Sequence, residues 1–275
     1  MLECRLADLT IKYLSFGEGE PILILHGSGP NDHHYMQNDF EPLFAGRAGW
    51  RRIYIDLPGH GQTPWPEWAT SPDQILDLLC EFIDQVIPNE KFTLAGLSWG
   101  GQLSLGLVDR RADRIEGLFL SVPSVNVAGS KRKLPADVVL VEDNDFVAGL
   151  LQDERWITAV LTVQDAAYLE RLRRDIFAVG RVNEKNGINH ELRGQIFSYD
   201  AKKIFLDKPT LILTGRQDNV VGYQDAWELV ENFPRATFAV LDRASHFLSI
   251  EQNSLMKALI VEWLDRVEEG RGISG

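Results

Sequence analysis

Between an apolar run, Phe92-Thr93-Leu94-Ala95, and a helix-like stretch, Gln102-Leu103-Ser104-Leu105-Gly106-Leu107-Val108, the chain reads Gly96-Leu97-Ser98-Trp99-Gly100-Gly101. A G-x-S-x-G in that position demands a sharp strand-to-helix turn. The turn lifts the serine hydroxyl clear of the backbone, and glycines flank it because the strained serine leaves little room for neighbouring β-carbons. Few architectures hold such a turn. It needs a strand that ends abruptly and a helix that begins at once.

The rest of the chain repeats that alternation. Short apolar runs at Pro21–Leu25, Ile53–Ile55, Phe92–Ala95, Gly117–Val122, Thr210–Thr214 and Thr237–Leu241 read as buried strands. Helical patterns lie between many of them. Ser71-Pro72-Asp73-Gln74 is a capping box with proline at the first helical position, followed by Ile75, Leu78, Leu79, Phe82, Ile83 and Val86 at helical spacing. Leu255, Met256, Leu259, Ile260, Trp263, Leu264 and Val267 mark another. Such alternation builds an α/β fold, a mostly parallel sheet flanked by helices. The segments up to about Phe16 read as an antiparallel hairpin at one edge, with Gly17-Glu18-Gly19-Glu20 as a turn.

The pattern breaks between Ser124 and Leu206. There the chain has a basic patch, Lys131-Arg132-Lys133, then acidic amphipathic pieces, with Leu169, Leu172, Ile176 and Val179 on one helical face. We therefore expect a discontinuous core, residues 1–123 and 207–275, with residues 124–206 inserted as a helical cap. The tail from Glu268 to Gly275 reads as frayed.

Composition narrows the function classes. With 28 Lys plus Arg against 40 Asp plus Glu, the formal net charge is -12, so a nucleic-acid binder or a binder of anionic membranes is not expected. Met1-Leu2-Glu3-Cys4-Arg5-Leu6-Ala7-Asp8 carries an early acid and no apolar run, unlike a secretory signal. Cys4 and Cys80 stand far apart, which fits reduced thiols in a cytoplasmic protein. Gly27 and Gly29 lack the third glycine of a dinucleotide fingerprint, and no phosphate-binding loop motif occurs. His33 and His34 are adjacent, poor geometry for two metal ligands on one helical face. No cofactor and no metal are expected.

A serine hydroxyl needs a base, and the base needs a group that orients it. Asp218, in the turn Gly215-Arg216-Gln217-Asp218, and His246, in Asp242-Arg243-Ala244-Ser245-His246, each follow an apolar strand. All three candidates thus stand past the carboxyl ends of strands, where open parallel sheets place their sites. The long interval from Ser98 to Asp218 leaves room for the inserted segment. The shorter one from Asp218 to His246 fits one helix, over Tyr223–Phe233, and one strand.

With His26-Gly27-Ser28-Gly29-Pro30, Asp56-Leu57-Pro58-Gly59-His60-Gly61-Gln62-Thr63, the serine turn, and Thr214-Gly215-Arg216-Gln217-Asp218 followed by His246, the chain resembles a capped α/β-hydrolase fold protein over essentially its whole length. The order Ser, Asp, His is the one expected of that fold. The resemblance implies a cofactor-independent serine hydrolase acting on a small carboxylic ester, thioester or lactone, with backbone N–H groups of Ser28 and Trp99 facing the oxyanion. It also implies that His26 and His60 tie loops together and that Asp56 anchors its turn. The partner implied is a small-molecule substrate, and oligomeric state stays open.

Two branches share local features. The loop at His26 resembles that of hydrolases cleaving carbon–carbon bonds in ring-fission (meta-cleavage) products, although Leu97 and Trp99 stand where those enzymes usually carry Asn and Met. Trp99 is similar to the residue after the serine in proline iminopeptidases, which bind the substrate amine through cap acids; Glu142, Asp143, Asp145 and Glu154 are the acids available. Trp65 and Trp68 fit either a pocket wall or loop packing. Near His246, Ser245 replaces a more usual Gly and Asn253 a common Pro. A ligand-binding or signalling protein on the same fold is the alternative of another class.

Overall fold

The computed structural model describes residues 1–6, 9–125, 128–183 and 195–272. Its single sheet has eight strands: β1 (Leu2–Arg5), β2 (Thr10–Phe16), β3 (Glu20–Leu25), β4 (Trp50–Ile55), β5 (Phe92–Leu97), β6 (Ile115–Ser121), β7 (Thr210–Gly215) and β8 (Ala236–Leu241). They lie in the order β1-β2-β4-β3-β5-β6-β7-β8. β1 with β2 and β2 with β4 pair antiparallel, and the remaining pairs are parallel. The six apolar runs all became strands, with Val122 one residue beyond β6. The edge hairpin is β1–β2. The turn at residues 17–20 does not join neighbours, because β4 lies between β2 and β3.

β3 shows why a sheet of this kind needs two covering layers. Leu23 and Leu25 join an apolar cluster with Ile75, Leu79, Phe82 and Leu103, while Ile22 and Ile24 join another with Tyr35, Phe40, Ile260 and Trp263. The period-2 alternation of the strand sends successive side chains to opposite faces. α2 (Pro72–Val86) and α3 (Trp99–Arg111) supply the first layer. α1 (His33–Phe40) and the C-terminal helix Asn253–Arg271 supply the second. α2 starts as its sequence predicts: Gln74 Oε1 accepts from the Ser71 N–H at 3.0 Å.

The C-terminal helix outlasts the expected fraying point. Glu268 accepts from Trp50 Nε1 at 2.7 Å and Arg271 donates to Thr93 Oγ1 at 2.5 Å, so both are held against the sheet. Gly272, at φ 68°, ends the helix in the left-handed region that glycine favours. Residues 273–275 of the tail lie outside the described residues. The helix expected over Tyr223–Phe233 is shorter, an α-turn at Gln224–Trp227 and a 3₁₀ turn at Val230–Asn232. Pro234 disfavours helical geometry at Phe233, which sits at ψ 79°.

Between β6 and β7 come α4 (Asn144–Gly149), a 3₁₀ stretch at Gln152–Ala159, and a helical run from Leu169 to Asn183 with a π turn at Arg173–Phe177. Leu172, Ile176 and Val179 are buried, and Leu169 packs against the same apolar cluster. Among its described residues this segment holds no strand, only an isolated bridge between Val141 and Val163. Residues 126–127 and 184–194 of the segment lie outside the described residues. Phe197, Tyr199, Ala201, Ile204 and Leu206 pack with α2 and α3.

After β3 the chain moves one way to β4 and then returns to the other flank with β5. A crevice opens where the order reverses, at the carboxyl ends of these strands.

Candidate active site

Ser98 follows β5 at φ 53° and ψ -112° and begins α3. A non-glycine residue there stores about 1–3 kcal/mol of backbone strain. The neighbouring glycines allow it. A β-carbon on Gly100 would overlap the carbonyl oxygens of Leu25 and His26, and one on Gly96 would overlap the Gly100 carbonyl and the Ser104 hydroxyl. The first residue after the serine but one therefore sets how closely α3 can approach the end of β3.

His246 and Asp218 converge on this serine. His246 Nε2 lies 3.0 Å from Ser98 Oγ, and Nδ1 lies 2.9 Å from Asp218 Oδ2. Asp218 is fully buried, and its Oδ1 accepts the N–H groups of Val220 at 2.9 Å and Val221 at 3.0 Å. A carboxylate facing the ring can only accept, so the proton sits on Nδ1 and Nε2 is left to accept from the serine hydroxyl. The three residues come from the ends of β5, β7 and β8.

The loop after β3 brings Ser28 to the same place. Ser28 and Trp99 both line a cavity of about 380 Å³ with Ser98 and His246. Neither backbone N–H has an acceptor among the described residues. Asn183, which the sequence did not single out, fixes this loop: its Nδ2 donates to the Gly29 carbonyl at 2.8 Å and the Asn31 carbonyl at 2.7 Å, while its Oδ1 accepts from Gly61 N–H at 2.9 Å.

The cavity walls are otherwise mixed. Tyr35, Trp156, Val160, Val221 and Phe247 give apolar surface, and Asn31, Gln102, Ser124 and Arg132 give polar groups. Burial pushes the Tyr35 hydroxyl well above the usual phenol range, so it stays neutral, 2.5 Å from Ser249 Oγ. Trp156 meets Phe177 edge to face and Phe247 at a tilt, at centroid distances of 6.0 and 6.2 Å. Phe247 directly follows His246 and was findable by adjacency. Trp156, in a 3₁₀ stretch with no periodic signal, was not.

The other prominent residues serve the frame. His26 Nδ1 donates to the Gly27 carbonyl at 2.6 Å and Nε2 accepts from Leu57 N–H at 3.0 Å, which ties the loops after β3 and β4. Burial lowers its pKa, against the pull of Asp56. His60 Nδ1 bonds the Pro58 carbonyl at 3.0 Å. Asp56 accepts from Gln62 N–H at 2.9 Å and also holds His33, whose Nδ1 lies 2.6 Å away. Asp32, His33 and His34 do bring donor atoms within 4.8 Å of one another. Their partners are protein groups, however: Asp32 caps α1 at the His34 N–H, and His33 is engaged by Asp56. Trp65 packs in the core and Trp68 is exposed; neither lines the cavity. Ser245 is buried, accepts from Phe247 N–H at 3.2 Å, and so steadies the histidine loop from within.

The acids weighed for an amine subsite lie elsewhere. Asp143 accepts from Asp145 and Ala166 N–H groups, and Glu154 accepts from Leu151 N–H and lies 3.6 Å from Arg173. None of Glu142, Asp143, Asp145 and Glu154 lines the cavity.

The sequence pattern of the Alpha/beta hydrolase family matches residues 22–256, most of the chain. The chain belongs to the alpha/beta hydrolase family. This hydrolase is 24% identical over 254 residues to a pimeloyl-[acyl-carrier protein] methyl ester esterase of Legionella pneumophila (strain Corby), covering 90% of this chain and 97% of the relative. It is 22% identical over 253 residues to a 2-hydroxy-6-oxononadienedioate/2-hydroxy-6-oxononatrienedioate hydrolase of Cupriavidus pinatubonensis, covering 89% and 86%. Among solved structures, an alpha/beta superfamily hydrolase from Oenococcus oeni PSU-1 superposes with a TM-score of 0.78 at 25% identity, over 98% of this chain and 100% of that one. A meta-cleavage product hydrolase from Pseudomonas fluorescens IP01 shares the fold at a TM-score of 0.67 and 23% identity, over 96% and 97%. No helix among the described residues of this hydrolase is long and apolar enough to cross a membrane.

Proposed function

We propose that the chain is a cofactor-independent serine hydrolase acting on small carboxylic esters, thioesters or lactones through an acyl-enzyme on Ser98. One observation carries the reading: the continuous chain of short contacts from Ser98 Oγ through His246 to buried Asp218. Nε2 takes the hydroxyl proton as Oγ bonds to the substrate carbonyl carbon. The carbonyl π electrons move to oxygen, where the Ser28 and Trp99 N–H groups receive the charge. On collapse, His246 returns the proton to the leaving alcohol or thiol. Water, deprotonated by the same nitrogen, then attacks the acyl carbon. The bond between the acyl carbon and Ser98 Oγ breaks, the acid leaves, and His246 returns its proton to the serine. Asp218 keeps the imidazole in the tautomer this cycle requires and stabilises its charged form.

Residues 124–206 act as the cap in this reading, Trp156 and Val160 contributing wall from above. Among the described residues no acidic side chain lines the cavity, which weighs against an iminopeptidase, whose substrate amine needs one. A fluorophosphonate probe labels the wild type and fails to label Ser98→Ala; equal labelling of both overturns the nucleophile assignment. The same pair, assayed on an ester, thioester, amide and ring-fission dienoate panel, separates ester hydrolysis from carbon–carbon cleavage. Tight binding without turnover across the panel marks a binding protein instead.

A further inference from the structure

Of the basic patch, only Arg132 turns inward. Lys131 is exposed and Lys133 pairs with Glu228 on the surface. Arg132 lines the cavity that holds Ser98 and His246. Its Nη2 donates to Ser124 Oγ at 2.8 Å and its Nη1 to the Val220 carbonyl at 3.1 Å, while Nε is buried with no hydrogen-bond partner. Every other arginine whose side chain is described and which is not solvent-exposed has a carboxylate within 4.0 Å. Among the described residues Arg132 has none, and no described Asp or Glu lines the cavity. A half-buried cation without a counter-charge is costly unless a ligand supplies one. Burial indeed pushes the Arg132 pKa down, against the more distant pull of Asp218 and Asp225.

We infer that Arg132 is a specificity-determining residue that receives a free carboxylate of the substrate, so that the preferred substrates are esters bearing an acid group near the scissile bond. This rests on the serine-hydrolase reading. The guanidinium is held one residue away from the nucleophile: Ser124 N–H donates to the Ser98 carbonyl at 3.0 Å, and Ser124 Oγ accepts from Arg132. That closeness selects short chains. The two existing bonds fix the plane of the fork, which suits a planar carboxylate better than a lysine ammonium would. The competing reading, a tether joining the Ser124 and Val220 loops, predicts no discrimination between charged and neutral substrates.

The test compares matched pairs. Mono-4-nitrophenyl glutarate against 4-nitrophenyl pentanoate places the acid on the acyl side; 3-carboxyphenyl butanoate against phenyl butanoate places it on the leaving group. The wild type favours the anionic member of one pair by about 10- to 100-fold in kcat/KM, the range of a charged hydrogen bond. Arg132→Gln collapses that ratio toward one, chiefly through KM, and Arg132→Lys restores part of it. A wild-type ratio of one or less in both pairs overturns the inference, as does an Arg132→Gln variant that keeps the ratio. If no ester turns over and Ser98 resists fluorophosphonate, the catalytic reading fails by itself. Calorimetry with glutarate then decides: binding lost in Arg132→Gln supports the inference, and no binding to the wild type overturns it.

Discussion

The strands beneath the site are secured by apolar packing, and the segment above it by apolar packing together with a buried polar network. β3, β5 and β7 bury their side chains in apolar contact, with Leu23, Leu94 and Ile212 almost wholly out of water. The segment between β6 and β7 shares apolar contacts with the rest of the molecule, through Leu172 and Ile176 among others, and adds buried charges to them. Arg171 donates to both oxygens of Asp39, at 2.9 and 2.7 Å, and to the Ser249 carbonyl at 2.7 Å. Asn253 donates to the same Asp39 at 2.8 Å, and Asn38 to Asp175 at 3.0 Å. Glu251 accepts from Thr162 and Val163 N–H groups with one oxygen and from Ser245 N–H with the other. Apolar packing is additive and tolerant of direction. A buried polar network is directional, and losing one member strands the others.

The largest effect should come from that network. Asp39→Ala removes the closer of the two carboxylates that face partly buried Arg171, leaving Asp175 at 3.4 Å, and costs about 3 kcal/mol in urea denaturation. The double variant Asp39→Ala/Arg171→Ala should cost less than the sum of the singles by about 1–3 kcal/mol, whereas Asp39→Ala combined with Leu94→Ala adds within about 0.5 kcal/mol. Additivity in the first pair would erase the contrast. Next comes Asn183→Ala, which frees two loop carbonyls beside Ser28. It should lower kcat by about 10- to 100-fold, equivalent to about 1.4–3 kcal/mol, with a smaller change in KM. A change confined to KM would place Asn183 in binding only. The smallest effect is at His34, whose pKa the Asp32 hydrogen bond raises. Its stabilisation is full below the unfolded value and fades as pH rises through the folded one, so stability falls above about pH 6.5. His34 is more than half exposed, which holds this below about 1 kcal/mol. His34→Gln should flatten the slope in a pH series of thermal melts.

The same contrast explains what could be read from residues alone. Strands such as Pro21–Leu25 announced themselves because burial on both faces forces a continuous apolar run. Ser98, Asp218 and His246 were legible because each follows such a run. Asn183 and Arg171 were not, since a polar side chain that reaches across the molecule leaves no periodic trace in its own neighbourhood, and Trp156 was not, because its 3₁₀ stretch carries no periodic signal. Arg132 stood inside a visible basic patch, yet only three-dimensional placement distinguishes it from Lys131 and Lys133. Asp56 was legible as a turn anchor but not as the partner of His33.

The bonds from Arg171 to Asp39 and Ser249 bear on how this chain can diversify. Three distant stretches of sequence meet there, so drift at position 171 is tied to drift at position 39. A segment transplanted between β6 and β7 that carries no cation at this place leaves Asp39 without its Arg171 partner. To graft new specificity onto this scaffold, residues 39, 249, 251 and 253 must travel with the insert.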